Sequence, residues 1–202
     1  KDNLVRGPMG HDEINKTDRP GFFGWPLLVG DNKPYYRYDF ARKKTLELFD
    51  QKQPLNQSRY NTGMQTLPAA TPAFIWYPYK KSEEFPLLGT GGRTAMAGPV
   101  YYTDLYENYP NKFPAYFDGK FFFYEWMRGW IMVVTFNEDG SFKTMERFMP
   151  THKFSNPVDM EFTANGELYL LEYGKIWNHQ NEDARLVHLQ YNPGNRAPIV
   201  EI

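Results

Sequence analysis

Cysteine is absent from the 202 residues, which excludes disulfides, thiolate-bound metals and a cysteine nucleophile. Any chemistry must come from oxygen donors, amines and imidazoles. An excess of either charge is missing too: 23 Lys and Arg against 24 Asp and Glu leave a net charge of -1. A phosphate-backbone binder needs a strongly basic face, so nucleic acid is not an expected partner. Long apolar runs are also lacking. The longest, Trp130 to Phe136, falls far short of the roughly 20 residues of a membrane helix, so no membrane span is expected. Lys1 is followed by neither a charged n-region nor an apolar h-region, and the sequence reads as a mature or excised piece. The lack of cysteine suits a cytosol or a bacterial periplasm equally.

What is present is aromatic and turn-forming: 16 Phe, 15 Tyr and 5 Trp beside 16 Gly and 16 Pro, with a hydrophilic mean hydropathy of -0.67. This composition predicts turn-rich β structure. Ala73 to Tyr79 and Ala97 to Tyr102 read as strands, being aromatic and β-branched. Gly119 to Met149 predicts three consecutive antiparallel strands, with Asp139-Gly140 as a hairpin turn. PVDMEF, ELYLLEY and RLVHLQY then continue the pattern. Asp31 to Thr71 is polar and irregular and reads as a long surface insertion, in which only Arg42 to Asp50 suggests a short helix.

The two β-rich stretches resemble each other. Asp118 to Glu125 (DGKFFFYE) aligns without gaps on Asn165 to Glu172 (NGELYLLE), the starts at 118 and 165 giving a spacing of 47 residues. Four strands at about 40–50 residues per unit mark a propeller blade. The expected fold class is therefore all-β: a partial β-propeller of about two to three blades of four-stranded antiparallel sheet, with a long irregular insertion. Residues 1–192 would form this portion. The segment 193–202, NPGNRAPIVEI from Asn192 onward, would be a linker toward a following domain. Closure generally takes at least four blades, so the remaining blades would come from the same protein or from another chain.

Several residue groups carry possible chemistry. Gly7-Pro8-Met9-Gly10-His11-Asp12-Glu13-Ile14-Asn15 combines adjacent carboxylates with carbonyls exposed by Gly and Pro, the hard oxygen ligands that calcium prefers. A capped turn around Asp12 accounts for the same residues. Gly89-Thr90-Gly91-Gly92-Arg93-Thr94 lacks the Lys-Ser/Thr ending of a phosphate loop, though Arg93 and Thr94 offer donors to an anionic ligand. Glu125 and Glu172 sit at matching strand ends, as a glycosidase-like carboxylate pair or as structural repetition. Trp126, Trp130 and Trp177 could stack on sugars or simply pack. His152, His179 and His188 share no metal-ligand spacing.

The run Arg6 to Asn15, followed by Gly21-Phe22-Phe23-Gly24-Trp25-Pro26, resembles the GP-x-G-x-DE-[IL]-N and GWP signature of the glucose/sorbosone dehydrogenase family. Its members are six-bladed propellers that oxidise sugars with pyrroloquinoline quinone (PQQ) and calcium. Ala97 to Tyr102, Lys112-Phe113-Pro114, Tyr116 to Phe122 and Arg128-Gly129-Trp130 resemble the penultimate blade. Asn156 to Met160 and Asn165 to Tyr169 resemble the last. The resemblance implies a PQQ-dependent aldose dehydrogenase, of which this chain would be the C-terminal part without the catalytic histidine, located in a bacterial periplasm or outside the cell. It implies calcium on the carbonyls of Gly7 and Pro8, with Asp12 and Glu13 ordering the loop or serving as ligands. PQQ would lie near Arg6, Gly7 and Pro8, with Arg93, Thr94 and Arg128 as further donors. Met127, Asn156 and Val158 stand where the family places cationic anchors for the quinone. Their loss favours an alternative, a non-catalytic calcium-stabilised propeller module that binds glycans or partner proteins.

Overall fold

The computed structural model describes residues 2–192, 194 and 200–201. Among them the protein is all-β, with five antiparallel sheets, none of them closed, and only three short 3-10 turns as helix. The chain divides into two compact units, Lys1–Thr90 and Gly91–Ile202. No helix among the described residues is long and apolar enough to cross a membrane.

The first unit holds β1 (Asp12–Ile14), β2 (Leu28–Val29), β3 (Lys33–Pro34), β4 (Tyr36–Asp39), β5 (Lys44–Leu48) and β6 (Ile75–Tyr77), paired as β1-β6, β2-β3 and β4-β5. Its core gathers Ile14, Leu28, Val29, Ile75, Tyr77, Phe85 and Leu88, all buried. The turn between β2 and β3 requires glycine. Gly30 has φ +65, and a Cβ there would lie 2.9 Å from the Trp76 ring. The short helix expected over Arg42 to Asp50 is instead strand β5. Asp39 accepts the amides of Ala41 and Arg42 at 3.0 Å each, an Asx turn that folds the chain back into a hairpin. Pairing of Tyr36 with Leu48 and of Tyr38 with Thr45 then overrides the helix-forming leaning of Lys, Leu and Glu.

The second unit is two consecutive four-stranded meanders. β7 (Ala95–Val100), β8 (Phe121–Glu125), β9 (Trp130–Phe136) and β10 (Phe142–Phe148) make one sheet; β11 (Pro157–Phe162), β12 (Leu168–Glu172), β13 (Arg185–Leu189) and β14 (Val200–Glu201) make the other. Most of the expected linker 193–202 lies outside the described residues, although Glu201 and Val200 pair with His188 and Leu189. The strand period of two sorts the side chains. Phe122 and Tyr124 of β8 and Ile131 and Val133 of β9 enter a core shared with Met160, Phe162, Leu168, Leu170, Val187 and Leu189 of the second sheet. Phe123, Met132 and Val134 face the other way and are also fully buried. That two-sided burial is why β9 reads as an unbroken apolar run, whereas β12 and β13 alternate, exposing Leu171 and Leu186.

The repeat is visible in the backbone. Gly119 and Gly166, at the aligned turns before β8 and β12, have φ +65 and +72. The first strands of the two sheets, β7 and β11, lie against each other. Tyr124 on β8 donates its hydroxyl to the Val158 carbonyl on β11 at 3.2 Å, and burial pushes its pKa up to about 12. At this contact β7 carries a bulge around Gly98-Pro99, the position in a sheet where proline is tolerated. A Cβ on Gly98 would fall 2.7 Å from the Phe122 carbonyl oxygen and 3.4 Å from Met160 Sδ. Gly98→Ala is expected to cost about 1–3 kcal/mol through this clash, measured as a lower urea midpoint. An unchanged midpoint would show that β7, β8 and β11 are not so closely apposed.

Candidate functional site

In the first unit the signature residues separate into two groups. Gly7, Pro8 and His11 line an open cleft of about 380 Å³ together with Asp2, Lys33, Lys80, Lys81, Glu83 and Glu84, whereas Asp12 and Glu13 do not line it. The charges of that cleft balance. Arg6 is exposed and lays its guanidinium over the Tyr38 ring at 4.0 Å. Asp12 and Glu13 belong to β1, opposite Tyr77 and Trp76. Glu13 Oε1 accepts the Gly30 amide at 2.5 Å, so this carboxylate caps the β2-β3 turn that the Trp76 ring packs against. Burial raises its pKa above the ordinary 4.5, a shift opposed by the hydrogen bonds from Gly30 and Asn15.

The residues expected to hold calcium are not gathered on one cleft. The ion wants six to eight oxygens at about 2.3–2.6 Å, yet the Glu13 carboxylate is committed to Gly30. The Gly7 carbonyl accepts the Asn3 amide at 2.8 Å. Among the described residues no three Asp, Glu or His side chains converge as a metal site.

In the second unit the glycine loop and Arg128 come together. Arg128 donates Nε to the Gly92 carbonyl at 2.8 Å and an Nη to that of Gly91 at 3.1 Å. The Thr94 amide donates to Glu125, and its hydroxyl donates to the Arg93 carbonyl. Asn156, at one of the lost anchor positions, gives its amide to the Trp126 carbonyl at 2.8 Å, and Met127 packs on Gly92. The groups that would clasp a tricarboxylate thus hold the loop itself, and the arrangement does not fit PQQ.

Glu125 and Glu172 are buried, 0% and 1% exposed, and their partners show the pair to be structural repetition. Glu125 receives the amides of Thr94, just before β7, and of Arg128. Glu172 receives the amide of Ser155, just before β11, at 2.7 Å, and Arg185 Nε at 2.7 Å. Two carboxylates fully engaged in this way have no oxygen to spare for acid-base work on a glycosidic bond. His188 lies 3.0 Å from Glu167 and stacks on Tyr169, as a strand side chain.

The residues immediately after these glutamates form an aromatic site. Trp126 and Tyr173 occupy the same place in the 47-residue alignment, one beyond Glu125 and Glu172, and their rings lie 5.7 Å apart. Trp177, from the β12-β13 loop, meets Trp126 edge-on at 5.4 Å and stacks near Tyr173 at 6.2 Å. Trp177 is 74% exposed, while Trp126 and Tyr173 are half-buried. The loop is braced: Asn181 accepts the Ile176 amide and donates to its carbonyl, and the Tyr173 hydroxyl accepts the Asn178 amide at 3.0 Å. Trp130 does not join. It is buried, 3% exposed, with its ring edge-on to Phe123. Sequence reasoning missed Tyr173, although extending the repeat alignment by one residue pairs it with Trp126.

Beside the aromatics opens a cleft of about 370 Å³ lined by Lys153, Phe154, Ser155, Asn156, Lys175, Asp183 and Arg185. Its rim and the aromatic site share backbone: Tyr173 and Gly174 donate their amides to the carbonyls of Asn156 and Ser155 at 3.0 and 3.2 Å. Comparison with protein-family models, curated proteins and solved structures finds no match to this chain.

The role assigned to Glu13 has a pH signature. Because its native pKa is raised above 4.5, the native state holds the proton longer than the unfolded chain, and its contribution to stability falls as pH rises from about 4.5 through the raised native value. Glu13→Gln keeps an acceptor for Gly30 and removes this component, so its urea stability is expected to decline less than the wild type's across that window. Identical pH profiles would refute the buried carboxylate, and a calcium-dependent thermal shift abolished by Glu13→Gln would make it a ligand instead.

Proposed function

We propose that this chain is a carbohydrate-binding portion of a β-propeller, with the sugar stacked on Trp126, Tyr173 and Trp177. Two successive four-strand meanders with adjoining first strands support the blade reading, and the remaining blades would complete the ring from the same protein or from another chain. The observation that carries the binding reading is the convergence of these three rings at corresponding ends of neighbouring sheets, with Trp177 held out by a braced loop. Aromatic rings gathered into one exposed group, unlike a single exposed side chain, mark a candidate ligand surface, and the apolar face of a pyranose suits it. A place outside the cytoplasm agrees with this reading and with the resemblance.

The oxidoreductase reading keeps one observation in its favour, the grouping of Gly7, Pro8 and His11 on one cleft. Against it stand the committed donors around Arg128 and Thr94 and the neutral Met127, Asn156 and Val158. A tricarboxylate lacking those cations forgoes several charge-assisted bonds of about 1.5–3 kcal/mol each.

Titration with a panel of neutral oligosaccharides, followed by calorimetry and tryptophan fluorescence, tests the proposal. Binding is expected to quench or shift the emission, and Trp177→Ala is expected to weaken it about tenfold, some 1.4 kcal/mol, with the thermal midpoint preserved. Affinity indifferent to Trp177→Ala would overturn the site. Aldose-dependent dye reduction by the full-length protein with PQQ and calcium would overturn the non-catalytic reading.

A further inference from the structure

We propose that the saccharide recognised here is acidic, its carboxylate or sulfate taken by Lys153 and Lys175 in the cleft beside the aromatic site. This rests on the carbohydrate-binding reading and adds the ligand's charge. Of the mixed-charge clefts described, the one in the first unit sets Lys33, Lys80 and Lys81 against Asp2, Glu83 and Glu84, which leaves it no net charge. The cleft of the second unit has Lys153, Lys175 and Arg185 against Asp183 alone.

The ion pairs there decide which cations are available. Arg185 is held at 2.7 Å by Glu172, whose side chain has no exposure, so that pair adds no net charge to the cleft. Lys175 approaches Asp183 only at 3.9 Å, and the two side chains are 81% and 41% exposed, a pair too loose and too wet to compete with a ligand anion. Lys153 makes no ion pair among the described residues and is exposed at the rim. With Glu172 counted against Arg185, one net positive charge remains, carried by two flexible ammonium groups. Ser155, in the same wall, has a buried Oγ without a hydrogen-bond partner among the described residues, a donor that the fold leaves unused.

The cleft wall and the aromatic site are joined through hydrogen-bonded backbone. Lys153 lies two residues before the Ser155-Asn156 pair whose carbonyls receive the Gly174 and Tyr173 amides, Asn156 also holds the Trp126 carbonyl, and Lys175 sits between Tyr173 and Trp177 in the chain. A Cβ on Gly129 would lie 3.2 Å from Lys153 Cγ, which puts the lysine stem against the turn that follows Trp126. A pyranose stacked on Trp177 can thus direct a carboxylate on itself or on its neighbour toward the lysines. Neutral sugars would gain only the stacking.

The test compares a galacturonic acid tetrasaccharide with the galactose tetrasaccharide of the same linkage. Wild-type protein is expected to bind the acidic one at least tenfold more tightly in dilute buffer, the margin shrinking as salt is added. The Lys153→Gln, Lys175→Gln double variant, altered only at exposed positions, is expected to lose that margin and keep the neutral affinity and the thermal midpoint. Equal affinities for the two sugars in the wild type, or a margin that survives in the double variant, would overturn the acidic preference while leaving the aromatic site standing. Binding of neither sugar would overturn both. A sulfated galactose tetrasaccharide as a third arm separates carboxylate from sulfate recognition.

Discussion

Two buried carboxylates hold the second unit in its form. A carboxylate taken fully out of water is costly unless hydrogen bonds replace its hydration. Glu125 and Glu172, with at most 1% exposure, meet that demand in nearly the same way. Each ends the second strand of its sheet and reaches back to the amide just before the first strand, Thr94 or Ser155. Each also takes a donor from farther along the chain, the amide of Arg128 in the turn after β8 or the guanidinium of Arg185 at the start of β13. The glutamate therefore ties both loops at one end of its sheet to a single point. Because the two sheets share a core and adjoining first strands, the tied ends fall side by side.

The aromatic site is a consequence of that clamp. The residue after a buried strand-end glutamate must leave the sheet, and it is Trp126 in one repeat and Tyr173 in the other. Their rings are brought within 5.7 Å by the alignment of the two clamps more than by any affinity between them. Trp177 joins because Asn181 closes the β12-β13 loop over itself. The rigid part of the site is thus paid for by buried hydrogen bonds, while the exposed indole is free to meet a ligand.

Much of this was legible in the sequence, and the parts that were not have identifiable causes. The three strands from Gly119 to Met149, the Asp139-Gly140 turn and the strands of the second sheet follow from period-two patterning and turn chemistry, which act over a few residues. The repeat located both clamping glutamates, and structural repetition was the right account of them. Strand β5 was misread because Lys, Leu and Glu favour helix locally, and only pairing with Tyr36 and Tyr38 decides otherwise. Trp130 and Trp177 are chemically identical in a sequence. Trp130 is buried because its strand is covered on both faces and Trp177 is exposed because it stands in the β12-β13 loop, a difference of tertiary placement. The cleft of Lys153 and Lys175 was invisible because its charges are scattered through an evenly balanced chain.

The same clamp bears on the choice between catalysis and binding. A site that performs redox chemistry on a bound quinone must keep donors in reserve, aimed at a ligand and unpaired in the fold. Around the glycine loop the reverse holds at three positions: Arg128 grips the loop, Thr94 serves Glu125, and Asn156 secures the Trp126 backbone. Polar groups spent on rigidity are consistent with a surface that must keep its shape. The features left unspent at this end of the second unit are an exposed indole, two loosely held ammonium groups and one buried hydroxyl. Together they supply stacking, charge and a hydrogen bond, the three elements on which the proposed recognition of a sugar acid rests.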